Sequence, residues 1–135
     1  MREGNELMGE LNSAFNRAVW FDIPVANLER AAAFYEAVLN IKVHIEQFDD
    51  FQFGVLDHEQ GNGGCLIPNE SAISGSQGIL VYMNVDQRIR DAITQVEPHG
   101  GKIIEPIHSI GPHGFRAIIL DSEGNRLALH SNSDA

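Results

Sequence analysis

Six side chains able to bind or orient a ligand fall on one face of three segments whose other face is apolar. They are Trp20 and Asp22, Tyr82 and Asn84, and Arg126 and His130. In an extended strand successive side chains point to opposite sides, so the members of each pair share a face. An aromatic, amide, charged and imidazole lining combines apolar area with a few orienting groups. This composition is typical of a pocket for a small organic molecule.

Within this set, Asp22 and His130 could together transfer a proton, because a nearby carboxylate raises the pKa of an imidazole and fixes its tautomer. The interpretation we favour is that Asp22 instead pairs with Arg126 or caps a strand end. Asp22 and His130 could also ligate a metal, although two protein ligands make a weak site. Cys65 is the single cysteine of the chain, and we interpret it as a buried structural residue.

The elements that must position these residues are repeated along the chain. The matched pairs are Trp20 with Leu80, Val25 with Val85, Arg30 with Arg90 and Lys42 with Lys102, all at one spacing without a gap. A fixed internal period indicates one supersecondary unit built twice, with each copy covering apolar surface that the other cannot bury alone. We expect function to lie where the copies meet.

The repeat sets the expected boundaries. Residues 1–16 form an N-terminal extension, and 17–135 form a single domain with module one at 17–68, a linker at 69–78, module two at 79–131 and a short tail at 132–135. Each module is predicted to be βαβββ. We expect Asn27 to cap the first helix, and Asn40 to end it in the left-handed conformation.

In module two we expect the first strand at 79–85 and Asp86 as the helix N-cap. The loop 106–114 carries His108 and His113 and is either a mobile lid or an ordinary hairpin connection, of which we favour the second.

Charge and hydropathy exclude some classes of partner. The 135-residue chain has a formal net charge of -10, which disfavours binding to nucleic acid or to an anionic membrane surface. No apolar run approaches the ~20 residues that span a bilayer, and the first residues lack a signal-peptide profile. We therefore expect a soluble, cytoplasmic protein.

The segments 23–31, 34–39 and 121–127, with Gly100-Gly101-Lys102, resemble the vicinal oxygen chelate superfamily. That group includes glyoxalase I, bleomycin resistance proteins, extradiol dioxygenases and fosfomycin resistance enzymes. The resemblance implies an α+β fold in which two tandem βαβββ modules form a curved eight-stranded mixed sheet around a cavity, often completed in a homodimer. It identifies the fold better than the reaction.

The resemblance also implies where a metal would be held. Members with metal chemistry carry His, Glu or Gln on the concave sheet faces, at positions that correspond here to Trp20, Leu80 and Ala128. None of these three side chains can coordinate a metal, and a fourth position falls near Cys65 or Leu66. We therefore predict no divalent metal at the usual place and no other cofactor.

The resulting prediction is a homodimeric glyoxalase/bleomycin resistance-like protein that binds a small organic molecule between its modules. The alternative is a metal-dependent lyase, isomerase or dioxygenase with displaced ligands, so the sequence leaves open whether the protein is an enzyme.

Overall fold

The computed structural model describes residues 16–135, so all but the last residue of the expected N-terminal extension lies outside the described part. Module one contains β1 (Trp20–Val25), α1 (Leu28–Leu39), β2 (Val43–Phe48), β3 (Phe51–Leu56) and β4 (Gly63–Pro68). Module two contains β5 (Tyr82–Asn84), α2 (Ile89–Val96), β6 (Lys102–Ser109), β7 (Phe115–Leu120) and β8 (Arg126–Ser131). Short 3₁₀ turns lie at Glu70–Ala72 and Gly111–His113.

Each module forms its own four-stranded mixed sheet. The strand orders are β1-β4-β3-β2 and β5-β8-β7-β6, so the two sheets have the same topology. In each sheet the first and last strands of the module pair in parallel, and the remaining neighbours are antiparallel. This arrangement confirms the predicted α+β class and the tandem βαβββ modules, with the eight strands divided between two sheets that do not close.

Helix α1 begins and ends where local sequence predicts. The Asn27 side chain accepts a hydrogen bond from the Arg30 N–H at 3.0 Å, and Asn40 has a left-handed φ of 56°. The buried face of α1 consists of Ala31, Phe34, Tyr35 and Val38, and that of α2 of Ile89, Ala92 and Val96. One cluster of buried side chains contains residues from both modules, so the helices and sheets pack into a continuous core.

Gly101 marks a close approach between the modules. A Cβ atom there would lie 2.6 Å from the ring of Phe34 in α1 and 2.6 Å from the carbonyl oxygen of Leu120 in β7. Since a Cβ atom cannot approach a non-bonded carbon or oxygen this closely, only glycine lets the first helix pack against the second sheet.

Two expectations about the start of module two are wrong. The predicted strand 79–85 is limited to Tyr82–Asn84, because the N–H of Arg126 donates to the linker carbonyl of Ser74 and is unavailable to residues before β5. The N-cap of α2 is Arg88 rather than Asp86. Gln87 has a left-handed φ of 68°, and the Asp86 carboxylate accepts the N–H of Asn132 at 2.6 Å instead.

Strand β6 extends to Ser109, so His108, which was expected in the loop 106–114, lies within the sheet. The connection to β7 is therefore a short hairpin with one 3₁₀ turn, which agrees with the favoured interpretation of the loop 106–114. Among residues 16–135, no helix is long and apolar enough to cross a membrane.

Candidate functional site

Side chains alternate along the strands as the sequence predicts. Ile23 and Val25 in β1, and Met83 in β5, are buried in the core. Asp22 and Tyr82, which lie between such positions, are exposed on the other side of their strands. The six candidate residues therefore lie outside the core, where they can line cavities.

One of these cavities lies between β1 of module one and the start of module two. It has a volume of about 600 Å³ and is bounded by β1, the linker, the residues before β5 and the start of β8. Its lining includes Trp20, Asp22, Ser74, Gln77, Ile79, Leu80, Val81, Arg126 and Leu127. We call it the inter-module cavity. Three of the six candidate residues, Trp20, Asp22 and Arg126, meet there.

Trp20 and Asp22 are connected through Cys65. The indole Nε1–H of Trp20 donates to the Cys65 Sγ at 3.4 Å, and the thiol donates to Asp22 Oδ1 at 3.3 Å. Burial raises the pKa of Cys65 to about 11, so the sulfur is a neutral thiol at neutral pH and a poor nucleophile. This supports the structural interpretation of Cys65, which here orients the indole.

Arg126 is the least satisfied charged residue of the cavity. Its Nε is buried and has no hydrogen-bond partner. The ion pairs of the described residues do not include Arg126, so the Asp22–Arg126 pair favoured from sequence is not formed.

Tyr82 and His130 line a separate cavity of about 510 Å³ on the second sheet, together with Ile110, His113 and Arg116. The Arg116 Nη1 donates to the Tyr82 hydroxyl at 2.6 Å, and the His130 Nε2–H donates to the carbonyl oxygen of His113 at 2.7 Å. Sequence reasoning missed Arg116. Its signal is the β7–β8 hairpin, whose register sets Arg116 opposite His130.

Asn84, the last candidate, lies in a groove of about 580 Å³ that also contacts Tyr82. Its side-chain oxygen accepts the N–H of Asp86 at 2.9 Å and supports the turn before α2. The six candidates are thus distributed over three cavities. Asp22 and His130 do not share one, and the proton-transfer pair is not assembled.

The residues at the expected metal positions do not fit a metal. Trp20 and Leu80 line the inter-module cavity, and Ala128 is buried opposite Tyr82 in the β5–β8 pairing. An indole N–H, an isobutyl group and a methyl group offer no lone pair to a cation. In the described part of the chain, no group of three or more His, Cys, Asp or Glu side chains could hold a metal ion.

The family assignment follows from comparison with known proteins. A sequence model of the Glyoxalase/Bleomycin resistance protein/Dioxygenase superfamily matches residues 17–129. The chain belongs to this superfamily. A glyoxylase-like domain-containing protein of Didymella fabae is 29% identical over 115 residues, which are 80% of this chain and 88% of that protein.

Solved structures of superfamily proteins share the fold. A glyoxalase/bleomycin resistance protein/dioxygenase family enzyme from Burkholderia phytofirmans aligns with a TM-score of 0.65 at 16% identity, over 83% of this chain and 95% of its own. The fosfomycin resistance protein FosX of Listeria monocytogenes aligns with a TM-score of 0.65 at 11% identity, over 87% and 93% of the two chains. At these identities the superfamily likeness establishes the fold and leaves the reaction open.

Proposed function

We propose that this protein binds a small organic molecule in the inter-module cavity, without a divalent metal at the positions that metal-dependent superfamily members use. The main support is the character of the cavity. Its volume of about 600 Å³ lies within the range of ligand pockets, and apolar walls surround a few polar groups.

The side chains at the former metal positions support binding through apolar contact. Trp20 and Leu80 replace ligating groups by an indole and an isobutyl group, and a rigid aromatic ring provides contact area at low cost in rotamer entropy. Ile79, beside them, is 90% exposed. A ligand that covers this side chain removes apolar area from water.

The alternative, a metal-dependent lyase, isomerase or dioxygenase with displaced ligands, needs donors from other positions. Asp22 and His130 were the candidates, and they line different cavities. We therefore favour binding of a small organic molecule as the function. A reaction in this protein would use groups other than a metal at these positions.

Trp20 is the single tryptophan of the chain and lines the inter-module cavity, so its fluorescence reports on this region. We expect neutral aromatic compounds from a fragment library to bind the full-length protein in ligand-observed NMR and to change the Trp20 emission. Leu80→Phe narrows the cavity and should weaken this binding, whereas the matched variant Ile104→Phe, at an exposed position of β6, should not.

A library in which no compound binds, or binding that Leu80→Phe leaves unchanged, would contradict the proposal. Elemental analysis after dialysis provides the second criterion. Stoichiometric metal that is lost in Asp22→Ala or His130→Ala would instead favour the metal-dependent alternative. The homodimer and the cytoplasmic location expected from the sequence stay predictions.

A further inference from the structure

Arg126 lines the inter-module cavity, and one of its donors has no hydrogen-bond partner. It is the first residue of β8, and its Nε is inaccessible to solvent and has no acceptor within hydrogen-bonding distance. An unpaired buried donor on a charged group destabilises the folded state, which is why such groups in folded proteins are generally paired. Arg126 is therefore a cation of the cavity lining whose hydrogen-bonding capacity is not fully used by the described residues.

The polar neighbours in the cavity are directed elsewhere. The Asp22 Oδ1 accepts the Cys65 thiol at 3.3 Å. The Asn125 side-chain amide donates to the Pro24 carbonyl oxygen at 2.7 Å and to Asp121 Oδ2 at 3.0 Å. The guanidinium is thus not neutralised from β1 or from the turn before β8.

The net charge of the chain also affects how an anion can bind in the cavity. A chain with a net charge of -10 repels anions over most of its surface, so an anion held in the cavity must be bound by local groups. The Asp22 carboxylate lines the same cavity and opposes an anion there. Arg126 is the group of the cavity lining that can outweigh this repulsion.

We infer that the ligand of the inter-module cavity carries a carboxylate that binds the Arg126 guanidinium, while its apolar part lies against Trp20 and Leu80. The inference rests on the proposed function, because it names the chemical class of the ligand for that same cavity. A planar guanidinium presents parallel N–H donors that match the two oxygens of a carboxylate, which a neutral amide cannot reproduce.

The test compares two probes of the same shape, 4-phenylbutyrate and 4-phenylbutanamide. Their dissociation constants are measured on the full-length protein at neutral pH by Trp20 fluorescence and ligand-observed NMR. We expect the acid to bind about tenfold or more tightly than the amide, since a charge-assisted hydrogen bond is roughly twice as strong as a neutral one.

Substitutions test whether Arg126 causes the preference for the acid over the amide. Arg126→Gln should remove the preference for the acid while the amide still binds, and Arg126→Lys, which keeps the charge but not the planar fork, should retain part of it. Asp22→Asn should strengthen binding of the acid, because it removes the opposing carboxylate. Arg116→Gln is the matched control, since that arginine lies in the other cavity, and it should leave the preference intact.

The outcomes separate the two proposals. The carboxylate inference is overturned if the acid and the amide bind equally, if the preference survives Arg126→Gln, or if it is lost in Arg116→Gln. Each of these results leaves the proposal of ligand binding in the cavity unaffected. If neither probe binds and the fragment library also gives no hit, both proposals fall. Unfolding midpoints of all variants, measured in urea, establish that each comparison is made on folded protein.

Discussion

Equivalent arginines of the two modules have different partners. In α1, Arg30 donates two hydrogen bonds to Glu123 of module two, at 2.8 and 2.9 Å, and the Glu123 side chain is 0% exposed. In α2, Arg90 lies 3.4 Å from Asp134, and both of these side chains are more than half exposed. The same repeat position therefore contacts a buried carboxylate of the other module in one copy and an exposed carboxylate in the other.

The two helices also differ in the residues that bind their ends. At the start of α1, Glu123 also accepts the backbone N–H groups of Ala26 and Asn27, at 3.0 and 2.8 Å. At its end, Arg88 donates to the carbonyl oxygen of Val38 at 2.8 Å. The helix of module one is thus held at both ends by side chains of module two.

Apart from the contact of its N-cap Arg88 with Val38, the start of α2 is bound by its own module and by the tail that follows it. The Arg90 N–H donates to the Ala135 carbonyl oxygen at 3.3 Å, and the Gln87 N–H donates to Ser131 Oγ at 2.9 Å. The difference indicates that α1 depends on module two more than α2 depends on module one. Substitutions in the turn that carries Glu123 should therefore affect both modules together.

The largest effect is expected for Asp121→Ala. Asp121 is 2% exposed and accepts the Tyr35 hydroxyl at 2.5 Å and the backbone N–H groups of Glu123 and Asn125 at 2.9 and 2.8 Å. Removing the carboxylate leaves several buried donors unpaired, so we expect a loss on the order of 4 kcal/mol in the free energy of unfolding. Urea unfolding followed by circular dichroism measures it.

Tyr35→Phe is the control for this prediction. It removes one donor from Asp121 and leaves the turn intact, so its cost should be smaller, about 1–2 kcal/mol. The buried carboxylate of Asp121 also contributes, after burial itself, to raising the pKa of Tyr35 well above its ordinary value. A loss in Asp121→Ala no greater than in Tyr35→Phe would show that the turn does not hold α1.

The next effect is expected for Glu123→Gln. Burial opposes ionisation of this carboxyl, but hydrogen bonds from Arg30 and from the backbone of Asn27 lower its pKa from 4.5 to about 2. Because the folded state favours the carboxylate, its stabilisation is complete above the ordinary pKa and is lost as the pH falls from about 4.5 toward 2. A glutamine accepts hydrogen bonds from the Ala26 and Asn27 N–H groups more weakly than a carboxylate does. We therefore expect Glu123→Gln to lower the free energy of unfolding by about 1–3 kcal/mol at neutral pH.

The pH dependence provides the measurement for Glu123. Urea unfolding of the native protein and of Glu123→Gln should give a difference that is constant at neutral pH and disappears in the acidic window. A native protein whose stability falls through this window with the same slope as the variant would contradict the assignment of the low pKa to Glu123.

Short-range structure could be predicted from the sequence, and contacts between distant residues could not. The caps Asn27 and Asn40 were predictable because each acts on backbone within its own helix. The role of Glu123 was not, since its partner Arg30 lies 93 positions earlier and the pairing depends on how the modules pack. The start of β5 was wrongly predicted for the same reason, because the linker residue Ser74 binds β8.

The candidate site shows the same limit. Strand alternation predicts the face on which Trp20 and Arg126 lie, because alternation follows from local backbone geometry, and both residues line the inter-module cavity. It did not predict that His130 would lie in a different cavity from Asp22, which depends on the relative placement of the two sheets. Nor did it predict that Arg126 would lack a partner, since this requires the positions of all its neighbours.

The smallest effect is expected for Asp134→Asn, which removes the partner of Arg90 in α2 as Glu123→Gln changes the partner of Arg30 in α1. It removes the carboxylate that faces Arg90, but exposed ion pairs contribute little because water solvates the separated charges and salt screens them. The backbone carbonyl of Asp134, which accepts Arg90 Nε at 2.6 Å, remains in this variant. We expect an unfolding midpoint in urea within experimental error of the native protein, at low and at high salt. If Asp134→Asn cost as much as Glu123→Gln, burial of the partner would not explain why the equivalent arginines differ, and the stronger attachment of α1 would require another cause.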